Sequence, residues 1–428
     1  MDVVHPRCCG MDISKRDAKV CVRVQTSARA STKVTTWAAL SSQILVLADH
    51  LLDEQVSLVV MEATGDYWKP FYFLLSEAGL NVMLVNPRSV RQIPGRKTDV
   101  ADAVWLAELG AHGLVRGSFV PPKPIRELKD LVRTRTTLIR LRGEEAQRLE
   151  KLLESAAIKL SSTISNLVGV SGRAMIEAMI AGVEDPAELA KLAHSKIKAS
   201  DEQLREALTG RFTDHHGFLA KIHLDLIDEF TDKIADLETR IQSCFTADED
   251  DPGSQHKTDL ATKRDLLTTI PGISTATAER VLAEIGDDMS AFPTSKHLTS
   301  WAGIAPGANE SAGKIKSTRC RPGNTYLKAA LGIAALAVTR SKNTFFAARY
   351  RRVASRRGHL RALVAVQRSM LTAIWTVLTT GQPYTDPGAD YYTRRRPGTY
   401  ITKGLNILKQ AGCTLTPTPD GTILITPT

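Results

Sequence analysis

Four carboxylates are the first residues with chemistry to offer. Asp12 sits in GMDIS, Glu62 in MEATG, and Asp99 and Asp102 in KTDVADA. The last two are three residues apart, which puts both on one face of a helix. Four acids gathered at one point would repel, so convergence calls for cations. Mg²⁺ suits such a site, being hard, oxygen-loving and held by a few carboxylates plus phosphate. Two such ions can stabilise both the attacking and the leaving oxygen of a phosphodiester cleavage. Taken singly, each acid also has a plain reading: Asp99 favours a helix start by its charge, and Glu62 is an ordinary strand end. Arg88, Arg91, Arg96 and Lys97 lie just ahead of Asp99. They either meet a phosphate backbone or solvate a loop.

The elements that would carry these acids read as alternating strands and helices. Cys8 to Ile13 is a short apolar run, Val20, Val22 and Val24 alternate with polar residues, and Lys33 to Ala38 forms a third strand, giving an antiparallel meander. A helix over Ser42 to Leu52, a strand over Leu58 to Met61, a helix over Trp68 to Ala78 and a strand over Val82 to Val85 follow, with Asn86-Pro87 as the stop. A further helix covers Asp99 to His112. This is a mixed sheet covered by helices, α/β in class. The order strand–acid, strand–acid, helix–acid pair within about 90 residues resembles the ribonuclease H-like (RuvC-like) arrangement.

The rest of the chain reads as all-α. Leu128, Leu131, Leu138, Leu141, Leu149 and Leu152 recur at helical steps from Ile125 to Ser161, with Arg126, Lys129, Arg133, Arg135, Arg140, Arg142 and Arg148 on the other faces. A second long helix from Gly217 to Phe245 carries Phe230, Ile234, Leu237 and Ile241. The pair forms an antiparallel coiled coil or a dimer interface, or an ordinary bundle with solvated charges. The boundaries predicted are 1–122 for the metal-binding domain, 123–250 for the helical coiled-coil region, 258–385 for a mostly helical domain, and 386–428 for a basic tail with a hairpin at Asp420-Gly421.

Composition narrows the partner. The 428 residues contain 56 Lys and Arg against 46 Asp and Glu, a net charge of +10, which favours a polyanion. The pI is near 9.3. The six cysteines have no CxxC pair and no His at zinc spacing, so they read as reduced thiols in a cytoplasmic protein. No secretory h-region and no apolar run of about 18 residues is present, so neither a signal nor a membrane span is expected.

Residues 266–286, LLTTIPGISTATAERVLAEIG, have the form helix, Pro-Gly turn, helix. Such a turn at Gly272 can present backbone N–H groups to a DNA phosphate, or it is a plain helical hairpin. Next come WAGIAPGANESAGK and PGNTYLKAAL. With GMDIS, MEATGDYW, NPRSVRQIPGRKTDVADA and IPGIS…AEIGD in the same order, the chain resembles the insertion-sequence-110 family of transposases, the DEDD-type, bridge-RNA-guided serine recombinases. The likeness covers Cys9 to about Gly381.

The resemblance implies a transposase domain at the C-terminal side, with Asp12, Glu62, Asp99 and Asp102 as the acids of a RuvC-like domain and Ser311 as nucleophile. A serine hydroxyl needs activation, which a metal site in the other domain would supply. It also implies DNA as donor and target, an element-encoded guide RNA, homodimers pairing into tetramers, and association with the nucleoid when bound to DNA. Lys314, Lys316, Arg319 and Arg321 after the serine either neutralise the scissile phosphate or form a flexible basic loop. Arg351 and Arg352, in a cluster with Tyr350, read as a backbone-binding surface for DNA or RNA. Two other functions compete: a junction-resolving nuclease that uses water, and a non-catalytic DNA-binding derivative.

Overall fold

The computed structural model describes residues 2–26, 29–63, 65–87, 90, 98–247, 253–307, 309–418 and 422–427. The chain divides into two compact units, 1–120 and 121–428.

The first unit is built on five strands and three helices. They are β1 (Arg7–Ile13), β2 (Asp17–Gln25), β3 (Ala30–Ala38), α1 (Ser41–Asp53), β4 (Leu58–Glu62), α2 (Trp68–Glu77), β5 (Val82–Val85) and α3 (Asp99–Ala111). The sheet order is β3-β2-β1-β4-β5. β1 to β3 form the antiparallel meander, whereas β1, β4 and β5 run parallel. Burial explains the order. β1 is apolar on both faces, with Cys8, Cys9, Gly10 and Met11 all buried, so it belongs at the centre. β3 carries Ser31, Thr32 and Lys33 exposed, which suits an edge strand. One face packs Cys9, Met11, Val59 and Met61 against α1 and α2.

The other face is covered by α3, and Gly10 sets how close it comes. A Cβ at Gly10 would lie 2.2 Å from the Ala103 carbonyl oxygen and 2.3 Å from the Ala107 nitrogen. Helix backbone therefore rests directly on strand backbone. Further along α3, Gly110 approaches Val60 and Cys8. The helix runs antiparallel to β1, and its N-terminus points to the C-terminal ends of β1 and β4. A second tie is Arg23 on β2, 4% exposed, whose Nε donates to Glu108 of α3 at 2.6 Å.

The second unit begins with α4 (Lys123–Ser155), followed by α5 (Leu160–Thr163), α6 (Val170–Ile180), α7 (Pro186–Ala190), α8 (Asp201–Leu208) and α9 (Asp214–Ser243). α4 and α9 pack along one another. The predicted helix to Ser161 stops six residues early. Ala157 takes a φ of 61°, and the chain turns so that Ile158 and Leu160 bury against α6 and α8. On α9, Ile234 and Ile241 are buried, but Phe230 and Leu237 are only half-buried.

The remaining elements are α10 (Ser254–Thr268), α11 (Thr275–Ile285), α12 (Ser295–Trp301), β6 (Asn309–Ser311), β7 (Lys314–Ser317), α13 (Thr325–Thr339), α14 (Phe345–Arg357), α15 (His359–Thr380), α16 (Tyr391–Arg395), α17 (Pro397–Gln410), β8 (Cys413–Pro417) and β9 (Ile423–Pro427). The expected tail hairpin is present as β8 paired with β9. Asp420 and Gly421 themselves lie outside the described residues. α15 is long and apolar enough to cross a membrane by length and composition, contrary to the expectation from the sequence. Its Val366, Met370, Leu371 and Ile374 are buried within the unit, where the helix packs on α12, α13 and α14.

Candidate active site

Strand register brings the first two acids together. Met11 pairs with Met61 in the parallel β1–β4 ladder, so Asp12 and Glu62 follow on neighbouring strands at the same level. Side chains alternate across a sheet. Asp12 therefore shares a face with Cys8 and Gly10, and Glu62 shares one with Leu58 and Val60. That is the face covered by α3. Asp99 and Asp102 occupy the first turn of α3, whose Thr98 cap accepts a hydrogen bond from the Ala101 N–H at 3.2 Å. The backbone thus delivers all four carboxylates to one end of one face.

Their side chains do not close around a single point. Among the described residues, no three His, Cys, Asp or Glu side chains gather as ion ligands. The donor set, four hard carboxylates on one face, fits a divalent cation by its chemistry. Arg88, Arg91, Arg96 and Lys97 lie outside the described residues.

What sequence reasoning missed here is the lock on α3. Glu108 is gripped by Arg23 and also meets His112 Nε2 at 3.0 Å. Burial pushes the Glu108 carboxyl up, but the hydrogen bond and charge of Arg23, helped by His112, win and hold it below its ordinary value. An Arg alternating with valines in β2 was the available signal. The cysteines behave as expected of thiols in a core: burial pushes Cys8 up to about 12 and Cys21 up to about 11.

In the second unit, Ser311 lies on a β-hairpin that the helical reading did not foresee. It ends β6, and its cross-strand partner is Lys314, the first residue of β7. The two turn residues between them, Ala312 and Gly313, have φ of 50° and 73°. Positive φ at both positions is what a two-residue hairpin turn needs. Ser311 is exposed, and directly paired residues present their side chains on one face about 5 Å apart. Lys314 is thus its nearest cation along the ladder. Among the described residues, none hydrogen-bonds to the Ser311 hydroxyl.

The hairpin rises from two crossing backbone segments. A Cβ on Gly323 would lie 2.4 Å from the Ala302 carbonyl, and one on Gly303 would lie 2.6 Å from the Arg321 carbonyl oxygen. Only glycine permits that crossing. Beside it, Arg319, Arg321 and Lys328 line a cavity of about 900 Å³ together with Gly307, Ser317 and Cys320. Lys328 was not picked out from sequence. Its signal was Asn324, which caps α13 and so sets Lys328 one turn inside that helix.

The Pro-Gly turn joins α10 to α11, and Ile273 N–H donates to the Ile270 carbonyl at 3.0 Å. Gly272 has a φ of 87°, and a Cβ there would strike Val338 and Ala334 of α13. Its backbone remains exposed on the outer side. Arg351 and Arg352 lie on α14, where Arg351 donates to the Lys342 carbonyl at 3.1 Å and Arg352 to Tyr400 Oη at 2.9 Å.

Several cations of the long basic helix serve the fold. Arg133 forms a two-pronged pair with Glu284 of α11 at 2.7 and 2.8 Å, and Asn324 also donates to Glu284. Arg135 pairs with buried Glu279 at 2.9 Å, and Lys129 stands 3.8 Å from Glu284. Arg140 pairs with Glu144, and Arg148 with Glu145.

Comparison with known proteins finds family matches in both units of the chain. Residues 9–158 match a DEDD-type transposase family, described simply as "Transposase". Residues 264–351 match the "Transposase IS116/IS110/IS902 family". The chain is 32% identical over 120 residues to an uncharacterized 43.6 kDa protein of insertion element IS110 from Streptomyces coelicolor, covering 28% of this chain and 29% of that protein. It is 23% identical over 383 residues to a pilin gene-inverting protein of Moraxella bovis, covering 88% and 96% of the two chains. It is also 23% identical over 339 residues to the transposase for insertion sequence element IS1111A of Coxiella burnetii, covering 77% and 80%.

Proposed function

We propose that this chain, a transposase of the IS110 family by both of its matched domains, cleaves and rejoins DNA with Ser311 as nucleophile and a divalent cation held by Asp12, Glu62, Asp99 and Asp102. Relatives named for gene inversion and for transposition both rearrange DNA, which requires strands to be broken and rejoined. The observation that carries the reading is the pairing of Ser311 with Lys314 at the tip of an exposed hairpin beside a cation-lined cavity.

The chemistry is a transesterification. Ser311 Oγ attacks phosphorus and gives up its proton, one P–O bond of the DNA breaks, and the departing oxygen takes up one proton. One phosphodiester replaces another, so rejoining needs no outside energy source. Lys314 offsets the negative charge that builds on the phosphate. Arg319, Arg321 and Lys328 hold the flanking backbone in the cavity, and Gly272 offers backbone N–H groups to a further phosphate. A divalent ion, Mg²⁺ in this proposal, would supply charge neutralisation to a phosphate when bound. Asp12 and Glu62, fixed by strand register, and the α3 pair are the residues that would hold it. Arg88, Arg96 and Lys97 belong to the same reading as backbone contacts. A structured RNA carried by the element selects the site in this proposal, and the working form is a dimer that assembles to a tetramer.

The test is to trap the reaction on DNA with Mg²⁺ and the element's transcripts. A covalent protein–DNA adduct is expected, absent in Ser311→Ala, with no cleavage in Asp12→Ala. A nuclease that uses water is favoured by one observation, the lack of a hydrogen-bonded base on Ser311 among the described residues. Cleavage without an adduct, retained in Ser311→Ala, would replace the serine mechanism with that one.

A further inference from the structure

The net positive charge of this chain comes from its C-terminal part. Residues 311–428 carry 19 Lys and Arg against three Asp, a net of +16, whereas the 310 residues before them carry 37 against 43, a net of −6. No carboxylate side chain occurs between Glu310 and Asp386. The first two of the three acids that follow are already engaged. Asp386 accepts from the backbone N–H of Phe345 at 2.9 Å and of Gly388 at 2.7 Å, and Asp390 pairs with Arg394 at 2.8 Å.

The tail beyond Thr385 is pinned to α14 by aromatic rings. Phe345 meets Tyr391 edge-on with centroids 5.0 Å apart and stacks on Tyr392 at 5.8 Å. These tyrosines then hold arginines without neutralising them. Arg349 donates to Tyr392 Oη at 3.1 Å, and Arg395 donates to Tyr391 Oη at 2.6 Å. Arg352 donates to Tyr400 Oη while its guanidinium lies 4.7 Å over the Tyr392 ring. Gly358, with a φ of 81°, separates α14 from α15 and leaves Arg356, Arg357 and Arg361 exposed on either side of the break. Among the described residues, none of these three has an ion-pair partner.

Like charges this dense repel unless a polyanion covers them, and tyrosine-held guanidiniums are already oriented at low entropic cost. We infer that α14, the start of α15 and the C-terminal tail form a second nucleic-acid surface, built from residues other than those of the serine hairpin, which grips the sugar-phosphate backbone. It lies largely outside both matched domains, which end at residues 158 and 351. This deepens the reading of the chain as a DNA-acting enzyme and rests on it for the identity of the polyanion.

The test uses the full chain in EDTA, so that cleavage does not enter, and measures binding to a short DNA duplex and to single-stranded RNA across a salt series. Arg356→Gln, Arg357→Gln and Arg361→Gln combined should lower the log–log salt slope by about 2.7 on duplex DNA, roughly 0.9 per cation. Tyr392→Phe with Tyr400→Phe should weaken binding about fivefold by releasing the held guanidiniums, with the melting curve unchanged. Loss on either nucleic acid supports the surface and says which one it grips. An unchanged slope and affinity in the triple variant would overturn it. So would retained nucleic-acid binding alongside lost binding to vesicles of anionic lipid, which would assign the exposed isoleucines of α17 and β9 to a membrane. An absent covalent adduct would sink the serine mechanism and leave this result standing.

Discussion

At the scale of single residues, Ala312 is the position under tension. A residue with a Cβ in the left-handed region costs on the order of 1 kcal/mol, which glycine avoids. Ala312→Gly should relax the turn and keep adduct formation, whereas the β-branched Ala312→Val should cut adduct yield by tenfold or more while the melting temperature holds. Equal yields from both variants would mean that hairpin geometry does not govern the serine. The thiols give a second residue-level expectation. Cys8, Cys9 and Cys21 are fully buried, and burial raises all three. A thiol reagent on the native protein should therefore reach Cys244, Cys320 and Cys413 alone, with the other three reacting after unfolding. Early labelling of Cys8 or Cys9 would contradict a packed central strand.

At the scale of elements, helices are held by ion pairs that reach far along the chain. Glu284 is almost fully buried beneath Arg133 and Asn324, so Glu284→Gln strands the guanidinium and should cost about 2–4 kcal/mol, read by denaturant titration. Glu108 sets a pH dependence. Its folded carboxyl lies below the ordinary 4.5, so the stability it adds is complete above that value and is lost as pH falls through the depressed pKa. Glu108→Gln should flatten the acid limb of a melting-temperature profile, and an unchanged limb would count against the Arg23 pair. These pairs also mark where sequence reading ran out. The strands and the four acids were legible because periodicity and motif are local. Arg133 and Glu284 are 151 residues apart, so nothing near either could announce the pair. The Ser311 hairpin was hidden for a different reason: its strands have three and four residues, too short for an alternation to register, and its turn is Ala-Gly rather than Asn-Gly.

At the scale of the whole molecule, two compact units with separate cores should unfold as two calorimetric transitions, and Glu284→Gln should lower only the one that belongs to residues 121–428. A single transition shifted as a whole would show that the units unfold together. The acids of the first unit depend on a contact that contains no acid. Because α3 rests on bare strand backbone at Gly10, one added methyl group there would act as a wedge under a beam. The fulcrum would be Ala103, and the lifted end would carry Asp99 and Asp102. A lesion at residue 10 would therefore displace Asp99 and Asp102 while all four acids and Ser311 stay spelled correctly in the gene.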